Sequence, residues 1–354
     1  MSTKPHRMEF PREVIVGNGT LDQIGDLCRR LGYSKSLFMV TGERTFNIAG
    51  QRTIDLLGDQ GLEVNYLVVS SQAPNLDDIR IIEKEIAKCK PNAVLGVGGG
   101  TRIDLGKLSS ARQGVPFISI PTTASHDGMA SPCVSLRGLD RPYSVIGQSP
   151  MAVIADTSII IQAPHRFLAS GCGDVVSKFI STRDWKIAHE RRNEYYAQYS
   201  SSLALMSARH VAENADIIKP GSEEGLRIVL EALVSCGVAM GVAGTSRPCS
   251  GSAHLFSHAL NTIAEKPAMH GEQCGLGAVM MAYLHGMDWR RIRNVLQRVG
   301  APTKASEIGV KPEYIVRALV KARDIRPERY TILDEKPLNQ KSAERVARTT
   351  GVIG

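Results

Sequence analysis

The sequence predicts an α/β N-terminal, Rossmann-like parallel-sheet domain over residues 1–162, followed by an all-α C-terminal domain over residues 163–354. Three observations predict it. Over roughly the first 160 residues, short β-branched runs alternate with helix-period segments in the manner of βαβ units. Those runs are apolar almost throughout, as strands covered on both faces are, and do not alternate apolar with polar. From Pro164 onward, apolar residues recur at three- and four-residue steps nearly to the end, so the chain changes character around "APHRFLASG". A cleft between two such domains is the expected place for a ligand.

Taken in order, "REVIVG" reads as a strand, "GNGT" as a turn and "LDQIGDLCRRLG" as a helix. The strand "SLFMVTG" leads into the helix "FNIAGQRTIDLLGDQG", and "EVNYLVVSS" into "NLDDIRIIEKEIAKCK". "NAVLGVGGG" followed by "RIDLGKLSSARQ" makes a fourth strand–helix pair, and "PFISIPTT" is a short fifth strand. In "CVSLRGLDRPYSVIGQ" the tripeptide Gly-Leu-Asp separates two alternating runs, which predicts an inserted hairpin. The second half offers long helical segments such as "SSLALMSARHVAENADII", "GLRIVLEALVSCGVAMGVAG" and "PEYIVRALVKARDI".

Composition narrows the class of protein. A 354-residue chain that is 43% hydrophobic and 22% charged is ordinary for a globular protein with a sizeable core. No run approaches the roughly 20 apolar residues that span a bilayer, and "MSTKPHRMEF" lacks the apolar core of a signal peptide. Membrane insertion is therefore not expected, and a cytoplasmic location is. The seven cysteines, Cys28, Cys89, Cys133, Cys172, Cys236, Cys249 and Cys274, contain no CxxC pair and read as reduced thiols. The net charge of +8 comes without a Lys/Arg block interleaved with aromatics, and aromatics are only 5%. Nucleic acid is thus not expected as a partner; attraction of small phosphorylated ligands is the functional reading of that charge.

Two loops at strand ends carry the first chemistry. "AVLGVGGGTRIDLGK" is an apolar strand running into Gly96, Gly98, Gly99 and Gly100 and then a helix. Glycine allows close approach of backbone to a phosphate, and a helix N-terminus offers N–H groups and a positive dipole end. A merely tight turn is the bland alternative. The spacing is not G-x-G-x-x-G and the loop follows a late strand, so this is not a plain Rossmann domain. The next strand ends in "PTTASHDGMASP", which supplies hydroxyls from Thr122, Thr123, Ser125 and Ser131 and a carboxylate from Asp127. The carboxyl ends of parallel strands are where open α/β sheets bind ligands.

The helical half holds "RPCSGSAHLFSHALNTIAEKPAMHGEQCG", with His254 and His258 four apart on one helical face and His270 in a loop after Pro267. A catalytic zinc or iron site wants a third ligand, typically a carboxylate, and an open position. Asp174 in "ASGCGDVVSKF" is the carboxylate candidate, read as the start of the first helix after the domain change. An Asp174–Lys178 pair four residues apart, or a carboxylate capping a helix N-terminus, explains the same residue without metal.

"GVGGGTRIDLGK", "PTTASHDGMASP", "GCGDVVSK", "GSAHLFSHAL" and "MHGEQCG" together, in this order, resemble the superfamily of iron-containing alcohol dehydrogenases, glycerol dehydrogenases and dehydroquinate synthases. The resemblance spans nearly the whole chain and implies a dehydroquinate synthase-like architecture. It implies that the α/β half binds NAD(H) or NADP(H). The pyrophosphate would lie along Gly99, Gly100, Thr101, Arg102, Ile103 and Asp104, and the nicotinamide end near Thr122, Thr123, Ala124, Ser125 and Ser131. Asp174, His254 and His270 would hold one Zn2+ per subunit. Asp127, His258 and Asp174 would form the catalytic and substrate-binding set. Lys178 is a further candidate, for the substrate's phosphate.

Within the superfamily, the forms of the threonine loop and of "GSAHLFSHAL" point to a branch acting on glycerol phosphate. The implied reaction is the reversible, zinc-assisted reduction of dihydroxyacetone phosphate to sn-glycerol 1-phosphate, the backbone of archaeal ether phospholipids, by a homo-oligomer. The alternative is a polyol dehydrogenase acting on an unphosphorylated substrate. Many members place a histidine four residues after the metal aspartate, where this chain has Lys178, which implies three protein ligands and an open position. Many NAD-specific members carry an acid just after the second strand. Here "VTGERTF" has Gly42 and Arg44, which implies tolerance of the NADP 2′-phosphate.

Overall fold

The computed structural model describes residues 6–136 and 143–354. The chain divides into two compact units, Met1–Pro164 and His165–Gly354.

In the first unit, the strands β1 (Glu13–Gly17), β2 (Ser36–Thr41), β3 (Glu63–Val68), β4 (Ala93–Gly98), β5 (Phe117–Pro121), β6 (Cys133–Leu136), β7 (Tyr143–Ile146) and β8 (Ala152–Asp156) follow in chain order. Helices α1 (Ile24–Leu31), α2 (Glu43–Thr45), α3 (Gln51–Gly58), α4 (Leu76–Cys89), α5 (Gly100–Arg112) and α6 (Thr157–Ile160) lie between or after them. Six strands form one sheet in the order β1-β8-β5-β4-β2-β3, and every pairing in it is parallel.

The period-2 geometry of a strand explains how one apolar run serves two cores. Leu37, Met39, Leu95, Val97, Ile118 and Ile120 join one buried cluster with Ile24 and Leu27 of α1 and Leu57 of α3. Their neighbours Phe38, Val40, Val94 and Phe117 join another with Ile79, Ile82 and Ile86 of α4 and Leu105 and Leu108 of α5. Both faces of the central strands β2, β4 and β5 are covered, as expected of near-continuous apolar strands, while the edge strands β1 and β3 stay partly exposed.

The sequence reading omits β8. "AVIAD" pairs with β1 on one side and β5 on the other and is wholly buried. Its last residue, Asp156, accepts hydrogen bonds from Gly19 N (3.1 Å) and Leu21 N (2.9 Å), tying this strand end to the turn before α1. The hairpin is present as the antiparallel pair β6–β7; its expected Gly-Leu-Asp turn, residues 138–140, lies outside the described residues.

The second unit is helical among its described residues: α7 (His165–Val176), α8 (Lys178–Arg192), α9 (Gln198–Glu213), α10 (Glu223–Ala243), α11 (Ser252–Ile263), α12 (His270–Leu284), α13 (Trp289–Arg298), α14 (Pro312–Ile325), α15 (Ile332–Glu335) and α16 (Gln340–Thr349). The helix α10 corrects one expectation. At 21 residues it is long and apolar enough to cross a membrane, yet 67% of its apolar window is buried inside the protein. It serves as the core helix of the bundle.

Asp174 is also placed differently from the expectation. It is near the C-terminal end of α7 and not at a helix start, because "ASGCGD" continues the helix. Glycine usually weakens a helix by about 1 kcal/mol relative to alanine. Here helix proximity demands it: a Cβ on Gly173 would come within 2.3 Å of Gly271 O, and one on Gly271 within 1.8 Å of Ser170 O. The backbones of α7 and α12 therefore touch, which sets Asp174 and His270 side by side.

Candidate functional site

In the first unit, α5 leaves β4 with Gly99 at its N-cap and without a side-chain cap. The N–H groups of Arg102 and Ile103 are donated back to Gly99 O (3.0 and 3.2 Å), and Ile103 is in the core. Of the stretch Gly99–Asp104, the entry to the first turn is therefore where unpaired helix donors lie. Thr101 Oγ1 donates to Gln72 O (3.1 Å). Asp104 is buried; its Oδ1 faces Lys107 Nζ (3.4 Å) and its Oδ2 accepts from Ser135 N (3.2 Å). Its carboxylate thus holds structure in place beneath the loop.

Lys107, which sequence reasoning passed over, is fully buried and donates to Gly128 O (2.6 Å) and Cys133 O (2.9 Å). It clamps the threonine loop onto α5. In that loop Thr122 is buried, with its N–H on Gly98 O (3.1 Å), so the two strand-end loops are joined directly. Thr123 and Ser125 hydroxyls lie 3.4 Å apart, Ala124 is buried, and Ser131 is buried with its N–H on Asp127 O (3.2 Å). Asp127 opens a short 3-10 turn, Asp127–Met129.

Arg102 bears on the choice of dinucleotide. Its guanidinium donates to Val69 O (2.8 Å) and Ser71 O (2.6 Å) at the end of β3, and it lies over Gly42, where an added Cβ would be 2.6 Å from Nε. The Arg102 guanidinium stands at the end of β2 over Gly42, and the exposed Glu43 follows it as the first residue of α2.

In the second unit, three helices converge: α7 brings Asp174, α11 brings His254 and His258, and α12 brings His270 and Cys274. One ligand atom from each of Asp174, His254, His270 and Cys274 lies within 4.8 Å of all the others. His254 Nε2 is 3.4 Å from Asp174 Oδ1. His258 is not in this grouping; its ring centroid is 6.1 Å from that of His270. A carboxylate, two imidazoles and a thiol in a buried cluster are the donor types that hold zinc.

The environment prepares these donors. Burial alone would push the Asp174 carboxyl upward. The buried Lys178 ammonium at 2.6 Å, with His254 and His270 nearby, instead holds it well below the usual carboxylate range. Lys178 is itself fully buried. This placement corrects its expected role: an ammonium enclosed against Asp174 is not presented to a phosphate, and the Asp–Lys pair is the arrangement found.

The tautomer of His270 follows from its neighbours. Gln273 Nε2 donates to Asn261 Oδ1 (3.0 Å) and Ala268 O (2.9 Å), which fixes its amide orientation. Gln273 Oε1 then accepts from Ser257 Oγ (2.9 Å), so Ser257 Oγ accepts from His270 Nδ1 (3.3 Å). The proton sits on Nδ1 and the Nε2 lone pair is left for an ion. Asp184 orients the other histidine helix: its Oδ2 accepts from Ser252 N (2.6 Å) and Ser252 Oγ (2.7 Å) at the start of α11.

Ser257 and Gln273 lie within "GSAHLFSHAL" and "MHGEQCG", which were quoted for their histidines, and Asp184 lies in none of the quoted motifs. Cys274 sits in a motif quoted for its histidine, and its four-residue spacing from His270 was the available clue.

An α/β unit with glycine- and threonine-rich loops at its strand ends, in one chain with a helical unit that holds a carboxylate–imidazole cluster, defines a class, the metal-dependent dehydrogenases of this architecture. Comparison with known proteins agrees. The family described as iron-containing alcohol dehydrogenase matches residues 15–164. Glycerol-1-phosphate dehydrogenase [NAD(P)+] of Pyrococcus furiosus is 49% identical over 348 residues, covering 98% of this chain and 100% of the relative. The protein of the same name from Methanosarcina barkeri is 50% identical, covering 98% and 96%. Among solved structures, a glycerol dehydrogenase from Schizosaccharomyces pombe superposes with a TM-score of 0.80 at 20% identity, over 98% of this chain and 91% of its own. The chain belongs to the glycerol-1-phosphate dehydrogenase family, within the iron-containing alcohol dehydrogenases.

Proposed function

We propose that this protein is an NAD(P)H-dependent oxidoreductase that reversibly reduces dihydroxyacetone phosphate to sn-glycerol 1-phosphate, with one zinc ion per subunit. One observation carries the reading: the Asp174/His254/His270 cluster is assembled in a chain about half identical to proteins named for that activity. The first unit would bind the dinucleotide and the second the metal and substrate. A bound nicotinamide supplies the hydride, and a divalent ion supplies polarisation of the substrate carbonyl.

The protein's own part is binding, orientation and proton control. Asp174, His254 and His270 would hold the ion, with Lys178 keeping Asp174 ionised. The first turn of α5, from Gly99, would receive the pyrophosphate, and Thr122, Thr123, Ala124, Ser125 and Ser131 would line the nicotinamide end. Asp127 would orient a substrate hydroxyl. His258, close to His270 yet outside the ligand grouping, would hydrogen-bond the substrate and return the proton to its oxygen. The net charge of +8 favours an anionic substrate, and Arg102 over Gly42 favours acceptance of NADPH as well as NADH. Seven free cysteines, five of them buried, support a reducing, cytoplasmic setting. Homo-oligomerisation belongs to the same reading; Tyr199 and Met206, seven residues apart on α9 and both exposed, offer an apolar stripe for it.

The test is oxidation of NADH and NADPH by purified, zinc-loaded protein given dihydroxyacetone phosphate, with chiral analysis of the product. Turnover to sn-glycerol 1-phosphate, with glycerol a far poorer substrate in the reverse direction, is the expected result. No cofactor oxidation, the opposite enantiomer, or preference for glycerol would each overturn it.

A further inference from the structure

Three helices bring the metal-site residues together, and a fourth, α8, braces all three without contributing a ligand. Its first residue, Lys178, pairs with Asp174 of α7. Further along α8, Asp184 is fully buried and reaches the other two helices. Its Oδ2 accepts from Ser252 N (2.6 Å) and Ser252 Oγ (2.7 Å), at the first residue of α11. Its Oδ1 lies 3.0 Å from Nε2 of His285, the C-cap of α12. The same oxygen accepts from Ile332 N (2.9 Å), at the first residue of α15.

The start of α11 shows why an acid from another helix is used there. A helix leaves its first N–H groups unpaired, and the residue before it ordinarily pairs one of them with its own side chain. Here that residue is Gly251, which makes no side-chain cap. A Cβ on Gly251 would collide with Asp184 Oδ2 and with the Ser181 backbone. Glycine therefore clears the place that the Asp184 carboxylate fills, and the acid meets the positive end of the helix dipole. Only a carboxylate fits fully. Each oxygen receives a backbone N–H, which can only donate, so a carboxamide would turn its NH2 on one of them. His254 lies in the first turn of α11 and His258 one turn on, so whatever fixes Ser252 fixes both.

We propose that Asp184 is a positioning residue for the reaction. By capping α11 from α8 and holding the end of α12, it sets His254 against Asp174 and His270 for the metal, and His258 for the substrate. The proposal rests on the metal-dependent reading above and adds a residue outside its ligand and substrate sets. The bland alternative is a buried polar knot that only stabilises the fold.

Asp184→Ala, Asp184→Asn and Ser252→Ala test it, with folding checked by circular dichroism. In Asp184→Ala, the zinc dissociation constant from chelator competition should weaken about tenfold or more, the effect of losing a partner that orients ligands. Cobalt(II) put in place of zinc should show shifted visible bands, which report ligand geometry. With dihydroxyacetone phosphate, kcat should fall about a hundredfold, as a misplacement of about 1 Å can cause, while KM for NADPH is unchanged. Asp184→Asn keeps one good acceptor and should recover part of each loss. Ser252→Ala removes one hydroxyl and should weaken zinc by a factor of about two to ten, that of one net hydrogen bond; it decides the matter if Asp184→Ala does not fold. A folded variant with a lower melting temperature, yet with the zinc affinity, cobalt spectrum and kcat of wild type, would overturn the positioning role. Wild-type protein that binds zinc but leaves dihydroxyacetone phosphate unreduced would overturn the proposed reaction alone, because the zinc and cobalt measurements still judge Asp184. Wild-type protein that takes up no zinc would overturn both.

Discussion

His126 shows what one residue can do that its motif does not announce. Gly128 N donates to His126 Nδ1 (2.9 Å), so in the neutral ring the proton is on Nε2. That nitrogen stands at the entry to α5, where a Cβ added to Gly100 would be only 1.8 Å away. Glycine at 100 thus makes room for an N–H donor beside the helix N-terminus, where a dinucleotide phosphate is proposed. His126→Ala should weaken NADPH binding about tenfold, the ~1.4 kcal/mol of one lost hydrogen bond, and leave bound zinc unchanged. Fluorescence titration with NADPH measures it, and an unaltered dissociation constant would remove His126 from the site. The stretch "PTTASHDGMASP" was legible as a ligand loop, and its hydroxyls and Asp127 could be picked out by residue type. The contact between His126 and a glycine 26 residues earlier could not, because no local spacing encodes it.

At the scale of elements, periodicity exposed the long helices α4, α5, α9, α10 and α14 and five of the six parallel strands, while α8, α13 and short or tightly packed pieces escaped. β8 is five residues long and follows an inserted hairpin, so it has no helix of its own before it to mark a βαβ unit. The glycines of α7 looked like a loop before a helix because local propensity argues so; contact with α12 overrides it. A prediction separates the two views. At an ordinary helix position glycine to alanine stabilises, by about 0.4–1 kcal/mol. Gly271→Ala should instead destabilise by about 1–3 kcal/mol, since its methyl meets the Ser170 backbone, which has no rotamer to escape by. Pushing α7 from α12 also parts Asp174 from His270, so zinc content should fall with the melting temperature. Calorimetry and metal analysis on the same sample check both; a raised melting temperature would refute the contact argument.

The molecule stores five of its seven thiols in its interior, and that has a measurable effect on stability. Cys28, on the buried face of α1, is fully enclosed, and burial pushes its thiol up to about 12; Cys172 in α7 is raised in the same direction. An unfolded cysteine titrates near 8.5. Below that pH both states keep the proton and stability does not depend on it. Between about 8.5 and 12 the unfolded chain releases the Cys28 proton while the folded chain retains it, so the unfolded state binds fewer protons and stability falls as pH rises. Each such thiol contributes a slope of about 1.4 kcal/mol per pH unit once its unfolded form is ionised. Urea midpoints from pH 7 to 10 should therefore be level and then decline. Cys28→Ala lowers the midpoint at every pH by removing packing, but it should also flatten the alkaline decline, because alanine has no proton to lose. Lysines, and tyrosines other than Tyr33, titrate equally in both proteins, so the difference between the two slopes bears on Cys28 and on Tyr33, whose hydroxyl is raised by burial and by Cys28 beside it. Parallel declines in wild type and variant would show that this thiol is not held protonated by the fold.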